Sequence, residues 1–84
     1  MENSSVKDFL KFMISSIVDD DSSVVIDEKV DEMGVLYTIK LDKTEAGKII
    51  GKDGQTAKAL RLILKIVGYK YKIRASLKVI TDED

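Results

Sequence analysis

The sequence predicts an α+β fold in which helices pack on one face of a three-stranded sheet. Three observations carry that prediction: a long helical periodicity near the start, strict alternation in two later stretches, and a glycine-bracketed turn between two further helical segments. The chain has 84 residues, 44% of them apolar, which suits one small domain with a modest core over about residues 5–80 and an acidic tail over 81–84.

From Ser5 to Val18 the apolar positions Val6, Phe9, Leu10, Met13, Ile14, Ile17 and Val18 recur at helical spacing. Ser5 with Asp8 three residues later predicts a capping box at the start of this helix. The run Asp19-Asp20-Asp21 opposes the dipole at its end and predicts a solvated loop, not a metal site. Val24 to Val30 is β-branched and partly alternating, Asp31-Glu32-Met33-Gly34 supplies a turn, and Val35, Tyr37, Ile39 and Leu41 alternate with polar or outward positions. That pattern predicts an antiparallel hairpin with Tyr37 facing the core. Thr44 can cap a short helix through Ala46 to about Ile50, the turn Gly51-Lys52-Asp53-Gly54 breaks it, and a longer helix runs from about Gln55 to Val67. Tyr71, Ile73, Ala75, Leu77 and Val79 then alternate with Lys70, Lys72, Arg74, Ser76 and Lys78, which predicts a ten-residue strand with one basic face.

The formal charge of −1 hides a strong asymmetry. Residues 1–42 hold 4 basic and 10 acidic side chains, whereas residues 43–80 hold 10 basic and 2 acidic ones. With no Cys and no His, the chain lacks a thiol nucleophile, a thiolate zinc site and an imidazole base. The remaining carboxylates, lysines and hydroxyls fall in no catalytic spacing, so no enzyme activity, metal or cofactor is expected. No apolar run approaches the roughly 20 residues that span a bilayer, and no basic-then-hydrophobic leader opens the sequence. A cytoplasmic protein without a membrane partner is the expectation.

The chemistry gathers at the glycine turn. Two glycines three apart let a sugar-phosphate chain approach the main chain, and the helix starting near Gln55 points amide donors and a positive dipole end at the same place. Lys48 and Lys52 flank that spot, and Lys58, Arg61 and Lys65 form one stripe along the following helix. A nucleotide-binding loop of the Walker type is excluded, because Gly47-Lys48 is followed by Ile49 where Ser or Thr is required.

The segment Gly47-Lys-Ile-Ile-Gly51-Lys-Asp-Gly54-Gln-Thr-Ala-Lys-Ala-Leu-Arg61 resembles the signature of a KH domain. The likeness covers nearly the whole chain. Its element order, α-β-β-α-α-β, resembles the type II arrangement, and in size and motif the chain is similar to the small bacterial single-KH-domain RNA-binding proteins of the KhpA (YlqC) family.

By that resemblance, the two helices and the turn form one wall of a groove for about four unpaired nucleotides, with the last strand as the other wall. Ile49 or Ile50 and Ala57 would line its floor, Gly51, Lys52, Asp53 and Gly54 would grip the RNA backbone, and Lys48, Lys58 and Arg61 would lie along its path. KH motifs often carry Ile where this chain has Ala57, which implies a wider floor. Asp53 places a negative charge in the gripping loop and is expected to serve the following helix N-terminus. The implied role is RNA chaperone or post-transcriptional regulator, with ribosomal RNA, mRNA or small RNA as the target class. An adaptor that kept the dimerising fold but lost RNA is the competing reading.

Few aromatics are available for base stacking, and Tyr69 is the one placed to contribute. On the longer helix, Ala57, Leu60, Ile63, Leu64 and Val67 form the expected core arc. Leu62 and Ile66 widen it beyond the usual stripe. Either that helix is buried on more sides than most, or these two residues contact another chain. Family members pair with themselves or with a larger KH-containing RNA-binding protein, which implies a homodimer or heterodimer.

Overall fold

The computed structural model describes residues 2–81, with side chains described from Ser5 onward. The elements are α1 (Glu2–Ile17), β1 (Val25–Asp31), β2 (Gly34–Leu41), α2 (Lys43–Ile50), a single 3-10 turn (Lys52–Gly54), α3 (Gln55–Lys70) and β3 (Ala75–Thr81). This is the α-β-β-α-α-β order that the resemblance implies. The acidic tail expected over 81–84 lies, apart from Thr81, outside the described residues.

Strand order in the sheet is β1-β2-β3. β1 and β2 pair antiparallel, with Ile26 opposite Ile39 and Glu28 opposite Tyr37. The α2–α3 crossover returns the chain in the same direction, so β2 and β3 are parallel, with Tyr37 beside Leu77. Alternation then sorts the side chains. Val35, Tyr37, Ile39 and Leu41 of β2 point to the helices and are buried, whereas Leu36, Thr38 and Lys40 occupy the opposite face. The core joins those β2 residues to Val6, Leu10, Met13, Ile14 and Val18 on the α1 side, Ala46 and Ile49 of α2, Leu60 and Leu64 of α3, and Leu77 of β3.

Tyr37 is fully buried, and its hydroxyl donates to Glu28 Oε2 at 3.0 Å. Burial first, then that hydrogen bond and the Glu28 charge, raises its pKa above the usual phenol value. At the hairpin tip Met33 N–H donates to Asp31 Oδ1 at 2.8 Å, the Asp-initiated turn that this spacing supports.

Four boundary expectations need correction. α1 begins at Glu2, so Ser5 and Asp8 lie within the helix and not at its mouth. The cap of α2 is Asp42, whose Oδ1 accepts from Glu45 N–H at 2.8 Å, and Thr44 is already inside the helix. α3 runs on through Gly68 to Lys70, where the expectation ended it at Val67. Gly68 is kept small by the returning chain: a Cβ there would lie 2.6 Å from Ile73 O and 3.3 Å from the Ala75 Cβ. The last strand accordingly starts at Ala75. Residues Tyr71 to Arg74 make the connection, with Lys72 at φ 60° and Ile73 N–H donating back to Gly68 O at 2.8 Å. Tyr71 and Ile73 pack against the core from this loop, which gives the sequence an alternation without a strand.

Candidate functional site

The turn between α2 and α3 is built by its backbone. Gly51 sits at φ 76°, ψ 177°, a region that essentially only glycine occupies. A Cβ at that position would also collide with Oγ1 of Thr56. Asp53 and Gly54 follow in left-handed conformation, at φ 57° and 73°. Gly51 N–H donates to Gly47 O at 2.9 Å, Gly54 N–H to Gly51 O at 3.2 Å, and Gln55 N–H to Lys52 O. None of these bonds uses the amides of Lys52 or Asp53. No side chain caps α3, whose N-cap is Gly54. Asp53, expected to serve that helix start, is exposed one residue before the N-cap and makes no capping hydrogen bond.

The flanking cations divide into two kinds. Lys48 Nζ lies 2.6 Å from Asp19 Oδ2 and 3.3 Å from Glu45 Oε1. The hydrogen bond to Asp19 is the main cause that raises its pKa above the ordinary lysine value. Glu45 is buried, and it also accepts Asp19 N–H at 3.2 Å. Lys48 therefore helps fasten the α1–β1 loop to α2. Lys52 and Lys58 are exposed and have no carboxylate partner among the described residues. Arg61 reaches across to β3, where its Nε donates to Leu77 O at 3.3 Å, and Lys65 continues the exposed stripe.

The apolar residues of the motif also separate. Ile49 is fully buried in the core, Ala57 is buried at 4% exposure apart from the main cluster, and Ile50 reaches the surface. On α3, Leu60 and Leu64 are buried and Val67 is half-buried, but Ile63 is 40% exposed and does not belong to the core arc. Leu62 and Ile66 are exposed at 59% and 57%, which removes the reading of α3 as a helix buried on more sides than most. Tyr69 is exposed as well.

Of the basic positions in the last segment, Lys78 lies on the sheet face opposite the helices, as does Ser76. Lys70 and Lys72 belong to the end of α3 and to the loop, and Lys70 Nζ sits 5.5 Å from the centre of the Tyr71 ring. The expected continuous basic strand face is thus broken up among three surfaces. Two residues that sequence reasoning passed over are structural partners of the site: Glu45, which anchors Lys48, and Thr56, which enforces the glycine at 51. The Asp42-x-x-Glu45 spacing could have flagged the first.

Comparison with known proteins agrees with this fold. The family model described as the KH domain of KhpA/KhpB matches residues 7–79. The chain is 36% identical to the RNA-binding protein KhpA of Chlamydia caviae over 78 residues, 93% of this chain and 100% of that one. It is 35% identical to the RNA-binding protein KhpA of Aquifex aeolicus over 77 residues, covering 92% and 98% of the two chains. No solved structure matches the chain. With the helix–glycine turn–helix arrangement in place and the match spanning α1 to β3, the chain belongs to the KhpA/KhpB KH-domain family.

Proposed function

We propose that this protein is a single-stranded RNA-binding KH domain that holds the RNA backbone at the Gly51–Gly54 turn. Membership of a KH family with relatives named as RNA-binding proteins supports RNA as the ligand, and the family is not one of enzymes. The observation that carries the reading is the turn itself. Gly51 and Gly54 leave the main chain bare, the amides of Lys52 and Asp53 stand outside the turn's own hydrogen bonds, and α3 begins there without a side-chain cap. Lys52 supplies the first cation and Lys58 and Arg61 the next, while Ile50 and Ala57 offer apolar contact to a base. Lys48 and Ile49 belong to the same motif but act by holding the turn in place.

Two to four phosphate contacts fit so small a site, which sets a salt slope on the order of −1.5 to −3 for a single strand. Affinity from one such site is low, and pairing two of them raises it through effective concentration. The exposed Leu62 and Ile66 on α3 support a homodimer, or a heterodimer with a larger KH-containing protein, as the working form. The role that follows is RNA chaperone or post-transcriptional regulator in a bacterial cytoplasm; no described helix is long and apolar enough to cross a membrane.

A Lys52→Asp substitution tests the reading. It reverses an exposed charge at the turn and is expected to abolish retention of an unpaired oligoribonucleotide while circular dichroism and particle mass stay unchanged. Undiminished binding by this variant assigns the RNA to another surface. Absence of binding by the unaltered protein favours the adaptor.

A further inference from the structure

In the sheet, β1 has β2 on one side and no strand on the other, so it forms the edge opposite β3. The register shows which backbone groups that edge leaves open. Val35 N–H donates to Arg74 O, so Val35, Tyr37 and Ile39 turn their amides and carbonyls toward β3. Leu36, Thr38 and Lys40 turn theirs toward Lys29, Asp27 and Val25 of β1. Ile26, Glu28 and Val30 are left with both backbone groups directed outward, and no hydrogen bond among the described residues takes them. Beside this edge, between α1 and the start of β1, lies a cleft of about 320 Å³. Ile14, Val24 and Ile26 supply its apolar lining, Asp21 stands at its loop end, and Lys7 and Lys11 line its α1 side. Neither lysine has a carboxylate partner among the described residues.

We propose that the β1 edge and this cleft hold an extended peptide segment of a protein partner, which adds to the sheet as a fourth strand and sets carboxylates on alternate residues against Lys7 and Lys11. Main-chain bonds to Ile26, Glu28 and Val30 supply the pairing, and the lysines select the side chains. The two spacings agree. Lys7 and Lys11 are four residues apart on α1, about 6 Å along the helix, and alternate residues of a strand recur on one face at about 6.8 Å. The peptide residues that meet Asp21, and Asp27 on the outer face of the sheet, are neutral or basic. RNA fits this edge less well: it has no alternation of main-chain N–H and C=O to offer, and its charge at every nucleotide would meet Asp27, Glu28 and Asp31. A second copy of β1 fits less well too, because a two-fold centred on Glu28 sets two carboxylates opposite each other. Since β1 and β3 flank β2 on opposite sides, a peptide at this edge leaves the glycine turn open, and the protein can hold both ligands at once.

The test titrates the isotope-labelled full chain with a synthetic peptide of about seven residues in which Glu alternates with Thr. A peptide of the same composition with its glutamates grouped is the control. The alternating peptide is expected to move the amide resonances of Ile26 to Val30 and to slow hydrogen exchange at Ile26, Glu28 and Val30, while Gly51 to Gly54 stay still. The grouped control should bind about tenfold more weakly. Lys7→Glu combined with Lys11→Glu should weaken the alternating peptide at least about tenfold and leave the affinity for an unpaired oligoribonucleotide unchanged. Still resonances along β1 at millimolar peptide, equal binding of the two peptides, undiminished binding by the double variant, or unslowed exchange at saturation each overturn the proposal. So does movement of the Ile26 to Val30 resonances by the oligoribonucleotide, which assigns the lysines to RNA, or by dilution of the protein alone, which assigns the edge to a second copy. The turn is read separately at Gly51 to Gly54, so failure at β1 leaves the RNA-binding reading standing.

Discussion

The two helices that meet at the glycine turn use similar residues for opposite ends. On α2, Lys48 is bound by Asp19 and Glu45, and Ile49 is sunk in the core. On α3, Lys58 and Lys65 are exposed without carboxylate partners among the described residues, and Leu62 and Ile66 stand in solvent. Residue type is the same on both sides, but environment differs. A lysine already held by two carboxylates contributes little net attraction to a phosphate, whereas an exposed one releases a counterion when it meets the strand. Half of the motif is scaffold, and the other half is the part that the proposed function assigns to RNA.

The largest effect that could break this comparison is on stability. Ile49→Ala empties a fully buried site and is expected to cost about 2–5 kcal/mol, whereas Leu62→Ala should stay within about 0.5 kcal/mol in the monomer. Urea midpoints of the two variants check it. Equal losses would mean that α3 is covered in solution and that the contrast between the helices fails.

Next in size is the joint between them. Gly51→Ala forces a side chain into a glycine-only region and against Thr56, at an expected cost of about 1–3 kcal/mol. Gly54→Ala is strained in its dihedral alone, since nothing lies within reach of a Cβ there, and should cost less. Thermal melts of the pair decide whether the turn is set by close packing or by dihedral freedom.

Much of this architecture is legible in the sequence because it rests on local signals. The hairpin follows from Asp31 to Gly34 between two alternating runs, and the turn follows from Gly51 and Gly54. What escapes is set by contacts distant in the chain. Lys48 looks free until Asp19, 29 residues earlier, is brought to it. Gly68 looks like a helix terminator, but the returning chain at Ile73 and Ala75 is the reason for it, and the helix continues. Thr44 is a plausible cap by type, and Asp42 takes the role because its carboxylate reaches the Glu45 amide. The alternation at Tyr71 and Ile73 records burial of loop side chains, which periodicity alone cannot tell from a strand.

Another carboxylate-bound side chain extends the comparison to the sheet. Burial and Glu28 raise the pKa of Tyr37, so the neutral phenol is favoured in the folded chain. Its contribution is fully present below the unfolded tyrosine value of about 10 and is lost as pH rises past it toward the higher folded value. Tyr37→Phe removes the hydroxyl and its bond, at about 0.5–1.5 kcal/mol near neutral pH. The difference between the two proteins should shrink above about pH 10, which paired melts from pH 8 to pH 11 can measure. A gap constant with pH would mean that the phenol is not selected in its neutral form.

The smallest effect bears most directly on the division between the helices. Asp19→Asn removes the nearer of the two carboxylates on Lys48, a pair whose Asp19 side is largely in solvent. If pairing is what withholds Lys48 from RNA, its release adds up to one phosphate contact, and the salt slope should steepen by as much as about 0.7. Lys58→Ala is the counterpart on α3 and should flatten the slope by a similar amount. Glu45 remains beside Lys48 in the variant, so the gain is expected to be the smaller change of the two. An unaltered slope in Asp19→Asn, with a flattened one in Lys58→Ala, would place Lys48 outside the strand's path even when released. Orientation of α2, and not charge pairing, would then separate the two helices.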